Sequence, residues 1–128
     1  MSRSPRPGLR TARRGTGADR AVAELTDRGA ATHRVDSPGT KGELLEQVAA
    51  AFSFPRWTGR NWDALADALG DLSWLPPGPH ALVWAEPERL AAADPEAYAT
   101  AVDVLRRAAD GSAGTARPLT VLLVPATQ

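Results

Sequence analysis

Residues 80–85 read His-Ala-Leu-Val-Trp-Ala, a nearly unbroken apolar run directly behind Pro76-Pro77-Gly78-Pro79. No polar residue alternates with the apolar ones, so a strand here has no face to offer to water and is buried on both sides. The prolines stop whatever element precedes it. Leu119-Thr120-Val121-Leu122-Leu123-Val124, held between Pro118 and Pro125, has the same character. A weaker run at 31–35 (ATHRV) ends in the turn residues Asp36-Ser37-Pro38-Gly39 and reads as another strand.

Helical patterns fill the spaces between these runs. Thr40 and Glu43 form a capping box, with Leu44, Leu45, Val48 and Phe52 at helical spacing behind it, which predicts a helix over Lys41–Ala51. Asn61 can cap a helix over Trp62–Leu69, with Gly70 near its end. Pro87 opens a short helix near 87–93. Asp94 caps Pro95–Ala109, where Tyr98, Ala101, Val102, Leu105 and Ala108 share a face. Buried strands separated by helical crossovers imply an α/β fold: a small three-stranded parallel sheet covered by helices.

Upstream the composition changes. Residues 1–17 hold one Leu, one Met and one Ala among Arg, Gly, Pro, Ser and Thr, too little apolar surface to offset the entropy of ordering them, and are expected to form a disordered basic tail. The domain is then expected over 18–128, with a possible extra helix at 18–29 carried by Ala21, Val22 and Leu25. The 128 residues fit one domain with a tail. With no cysteine, disulfides, thiolate catalysis and cysteine-bound zinc are excluded. No apolar run approaches the ~18 residues of a membrane span, and no secretory h-region follows the first arginines. A cytoplasmic protein is the expectation.

The formal net charge of zero conceals an asymmetry. Residues 1–20 carry six arginines against Asp19, a net of +5; the remaining nine basic and fourteen acidic side chains give −5 over 21–128. A basic tail suits nucleic acid, whereas an acidic body suits a basic partner.

Catalytic equipment is sparse. His33 and His80 lie in or beside predicted strands, where surface or edge positions are expected. Neither a metalloprotease helix, a nucleophile elbow, a Walker loop nor a dinucleotide fingerprint is present. The expectation is a protein without catalytic residues, metal or cofactor.

The helix from Trp62 carries the most information. At ~100° per residue, Trp62, Leu65, Ala68 and Leu69 gather on one side. Asp63, Asp67 and Asp71 recur every fourth residue and form a stripe opposite. Like charges at this spacing oppose the helix by a few tenths of a kcal/mol per pair. Asp63 gains from the helix dipole, but Asp71 stands at the wrong end. The stripe is either a solvated face or an anionic surface made for a cationic site on another molecule. Trp57, in the loop before the helix, is either an interface anchor or a side chain folded back on the core.

Phe54-Pro55-x-Trp57-x-Gly59-x-Asn61-Trp62-Asp63-Ala64-Leu65-x-Asp67 resembles the barstar family of intracellular ribonuclease inhibitors. The likeness extends with conserved element order over roughly residues 31–125. It implies that the loop and helix plug a ribonuclease active site, with carboxylates in place of substrate phosphate. Asp67 matches the acid that enters the catalytic centre, Asp63 a second interface acid, and Trp57 an interface tyrosine. Gly59, Asn61, Ala66, Gly70 and Asp71 complete the partner-binding set that the resemblance implies. Ala66 stands where barstar has a tryptophan, and Arg107 where it has an interface glutamate. The implied partner is a small, basic, secreted ribonuclease, bound by a protein that is monomeric when free. The alternatives are a barstar fold turned to another protein, or a nucleic-acid binder acting through its arginine-rich tail.

Overall fold

The computed structural model describes residues 6–127. The elements, in chain order, are β1 (Gly8–Thr11), α1 (Ala18–Asp27), β2 (Ala31–Asp36), α2 (Lys41–Ala51), α3 (Trp62–Asp71), β3 (His80–Ala85), α4 (Glu88–Ala93), α5 (Pro95–Gly111) and β4 (Leu119–Val124). The strands form one sheet in the order β1-β4-β3-β2, and every neighbouring pair is parallel. His80 stands between Ala31 and Leu119, and Gly8 opposite Thr120.

The sheet has four strands, not the expected three. The fourth comes from the stretch read as a disordered tail, which corrects both the strand count and the tail boundary. Its pairing is carried by backbone groups, whose hydrogen bonds need no apolar side chain to form. Ala12 extends the pairing by donating to the Leu123 carbonyl at 2.8 Å. The Thr120 hydroxyl donates to the Arg6 carbonyl, also at 2.8 Å. Leu9 packs against the main core and Ala12 against the smaller cluster under α1. The part of the tail expectation that falls on residues 1–5 lies outside the described residues, as does Gln128.

Alternation along the central strands divides the interior into two layers. Leu82 and Trp84 of β3, with Val121 and Leu123 of β4, face α2, α3 and α5 through Leu44, Val48, Leu65 and Leu105. Ala81 and Val83 face the other way, onto Ala21 and Leu25 of α1. All six residues of β3 are buried, as a strand with two covered faces requires. Thr40, Asn61 and Asp94 each cap a helix by accepting from the backbone N–H three residues on. Two helices run past their expected ends: α3 to Asp71 and α5 to Gly111. Leu72 then stops α3 with a left-handed backbone (φ 49°), held there by complete burial of its side chain. Among the described residues no helix is long and apolar enough to cross a membrane.

One histidine corrects a second expectation: His80, on the inner strand β3, is buried, whereas His33 is half-buried on the edge strand β2, and the two rings are hydrogen-bonded to each other.

Candidate functional site

The candidate site begins where α2 ends. Ser53 takes a left-handed conformation (φ 53°), which turns the chain out of the helix. Phe54 then packs edge-on against Trp74 at 5.9 Å, and Trp74 donates from Nε1 to the Phe52 carbonyl at 2.8 Å. These contacts fix the near end of the loop. Its far end is held by Arg60, which donates from Nε to Glu46 of α2 and from Nη1 to the Thr58 carbonyl, both at 2.8 Å. Thr58 N–H donates to the Pro55 carbonyl and closes a turn between them. At the crown of this braced turn Trp57 projects into solvent with 84% of its surface exposed, the one large hydrophobic so exposed among the described residues. This exposure rules out the reading of Trp57 as a side chain folded back on the core.

Asn61 joins the loop to α3. Its Oδ1 accepts from Ala64 N–H at 2.8 Å, satisfying one of the helix's unpaired first-turn donors. Gly59 is explained by the same cap: a Cβ there would stand 3.1 Å from Asn61 Nδ2. Trp62 is half-buried, and the Lys41 ammonium lies 5.1 Å from the centre of its ring.

Leu65, Ala68 and Leu69 seat α3 on the core. Asp63, Ala66, Asp67, Gly70 and Asp71 all stand on the exposed side. Asp63 and Asp67 have neither an ion pair nor a side-chain hydrogen bond among the described residues, whereas Asp71 accepts from the Ser73 hydroxyl at 3.0 Å. The stripe is not one uniform surface. Asp63, Gly70 and Asp71 border a groove of about 500 Å³ between α3 and α5, while Asp67 is exposed outside it. Arg107 lines the far side of that groove and is tied to Asp103 of its own helix at 3.2 Å. Gly70 has open space around a would-be Cβ, so packing gives no reason for a glycine in this helix.

Arg60, Glu46, Lys41 and Trp74 hold the site in place, and the linear sequence does not disclose them. The Arg60–Glu46 pair spans fourteen positions, beyond any local spacing rule. The described residues contain no cluster of three or more His, Asp or Glu side chains placed to hold a metal.

An exposed loop aromatic, a capping asparagine and outward carboxylates on a parallel-sheet α/β scaffold can be set beside known proteins. The family described as Barstar (barnase inhibitor) matches residues 30–124. No curated relative matches the chain. The matched span runs from the start of β2 to the end of β4 and takes in the whole loop–helix site, while β1 and α1 precede it. The chain belongs to the barstar family.

Proposed function

We propose that this protein blocks the active site of a small, basic, secreted ribonuclease by presenting α3 carboxylates where the enzyme holds substrate phosphates. One observation carries the reading: Asp63 and Asp67 are exposed on a capped helix, with no partner among the described residues, beside an exposed tryptophan. Unpaired carboxylates at fixed positions can accept charge-assisted hydrogen bonds from arginine, lysine or histidine without first breaking contacts of their own. They offer the anionic charge of RNA and no bond for the enzyme to cleave. Attraction between the acidic face and a basic enzyme accelerates encounter, and the docked carboxylates slow dissociation. Trp57 supplies the large apolar contact typical of an interface anchor.

Ala66 and Arg107 bear on which ribonuclease is bound. Ala66 leaves the surface between Asp63 and Asp67 open, and Arg107 replaces an acid of the family interface with a base already neutralised by Asp103. A partner with a bulkier or less basic rim at these two places fits this chain. A monomer acting in the cytoplasm, guarding the cell against a nuclease of its own or a delivered one, is the corresponding biological role.

The experiment is an RNA-cleavage assay with secreted ribonucleases of the barnase type, titrated with this protein. Wild type is expected to inhibit at one-to-one stoichiometry, and Asp67→Ala to lose at least ~2 kcal/mol of binding, the hot-spot threshold. Wild-type affinity in Asp67→Ala ends the phosphate-mimic mechanism.

A further inference from the structure

The sheet is covered unequally. On the face away from α3, α1 packs against β2 and β3, and among the described residues no other helix lies over β1 and β4 on that face. The uncovered part is a groove of about 790 Å³. Thr120 and Leu122 of β4 form its floor, and Leu122 is the one residue of that strand not fully buried. One wall is α1 with its C-cap, which presents Arg20, Glu24 and, at the cap, Arg28. The other wall is the end of β1 and the turn after it, with Arg10, Arg13 and Arg14.

Five guanidinium groups thus line one groove with a single carboxylate among them. Glu24 is used by Arg20 at 3.4 Å, and Arg10 donates to the Arg6 carbonyl at 3.2 Å. Arg13, Arg14 and Arg28 have no side-chain partner among the described residues. The backbone beneath them is ordered, since Thr16 N–H donates to the Arg13 carbonyl at 3.0 Å and Ala12 is tied to β4. Like charges brought together on fixed elements repel unless an anion lies between them.

The shape and chemistry select the anion. From Arg20 to Arg28 the α1 wall spans ~12 Å, longer than one phosphate and suited to a chain of them. Every cation lining the groove is an arginine, whose planar fork matches phosphate oxygens. Nothing aromatic lines the groove, so it offers no platform for bases and no anchor of the kind that centres a protein interface. We infer that this groove binds the sugar–phosphate backbone of nucleic acid without reading its sequence. The site lies on the opposite sheet face from Asp67 and does not depend on the ribonuclease reading.

The test is fluorescence anisotropy of the full chain with labelled twelve-nucleotide oligouridine between 50 and 200 mM salt. Three to four neutralised phosphates predict a slope of log K against log[salt] of about −2 to −3, at ~0.7 per phosphate. Arg13→Gln, Arg14→Gln and Arg28→Gln together should remove roughly two units of that slope. Oligoadenosine should bind within about threefold of oligouridine, because no base contact distinguishes them. If the triple variant melts early, Arg28→Gln alone serves and should lower the slope by ~0.7. An unchanged slope in a folded variant overturns the inference. Displacement of the RNA by oligoglutamate of equal charge does too, since the groove would then be a seat for acidic protein. A dimer that the arginine substitutions dissociate, with no RNA binding, assigns the groove to the acidic α3 of a second copy and equally overturns it.

Discussion

His33 Nε2 lies 2.9 Å from His80 Nδ1, and the outer nitrogen of each ring faces a backbone carbonyl. His33 Nδ1 is 2.8 Å from the Ala51 carbonyl, and His80 Nε2 is 2.9 Å from that of Pro76. A carbonyl only accepts, so an outer nitrogen engages its carbonyl by donating its N–H. The pair ties β2 and β3 to the end of α2 and to the loop after α3. It therefore clamps both ends of the segment that carries Trp57 and Asp67.

This clamp makes stability depend on pH. Burial of the His33 ring lowers its pKa below the usual histidine value; the hydrogen bond to Ala51 opposes that, and the neighbouring His80 adds to it. A base with a depressed folded pKa binds fewer protons in the folded than in the unfolded chain. Its contribution to stability is complete above the unfolded value of ~6.5 and is lost as pH falls through the folded one. Urea melts at pH 7.5 and pH 5 should show wild type weakening toward acid, with at most ~1.4 kcal/mol per pH unit from this one proton. His33→Gln should be less stable at pH 7.5 and lose less on acidification. Equal slopes in the two proteins would remove His33 from the account.

Deleting residues 1–17 should destabilise the domain. The cut removes β1 and exposes the edge of β4, which holds its partner through hydrogen bonds each worth about 0.5–1.5 kcal/mol net. With Leu9 also lost from the core, a fall in Tm of roughly 5–10 °C is expected by differential scanning calorimetry. An unchanged Tm would show β1 to be energetically idle.

The cap that joins loop to helix should be measurable on its own. Asn61→Ala is expected to cost about 1 kcal/mol, while Asn61→Asp, which keeps the acceptor, should cost far less. Gly59→Ala should share part of the Asn61→Ala loss, because its methyl group crowds the capping amide. Denaturant midpoints of the three variants decide it; equal effects of Ala and Asp at 61 would place the importance of this residue elsewhere.

Stability and binding should part company along α3. Gly70→Ala has room for its methyl group and should stabilise the free protein by about 0.5–1 kcal/mol. Asp67→Ala relieves repulsion from Asp63 and Asp71 and should gain a few tenths of a kcal/mol. Asp71→Asn removes an anion from the helix C-terminus, for a gain of about 0.3–1 kcal/mol. Thermal melts should register these gains while surface plasmon resonance against an inhibited ribonuclease shows weaker binding, most of all for Asp67→Ala. If all three bind as wild type does, the acidic face is only a solvated one.

Local chemistry was enough to mark most of this architecture in the sequence. The doubly apolar runs at 80–85 and 119–124 located β3 and β4 because their residue types permit no solvent face. Thr40, Asn61 and Asp94 located helix starts because a cap acts within three residues of itself. The acidic stripe was legible for the same reason, since helical geometry alone sets its spacing. What only the tertiary structure decided acts over long separations or through the backbone. β1 pairs with a strand more than a hundred positions away through groups that every residue carries, so its Arg-rich composition conceals it. His33 and His80, forty-seven positions apart, meet only because parallel register sets them diagonally on neighbouring strands. Arg13 and Arg28 likewise belong to separate stretches, and share a groove only because α1 leaves β4 partly uncovered. Helix and turn signals decay within a few residues, whereas strand register and helix placement are settled by how the whole core packs.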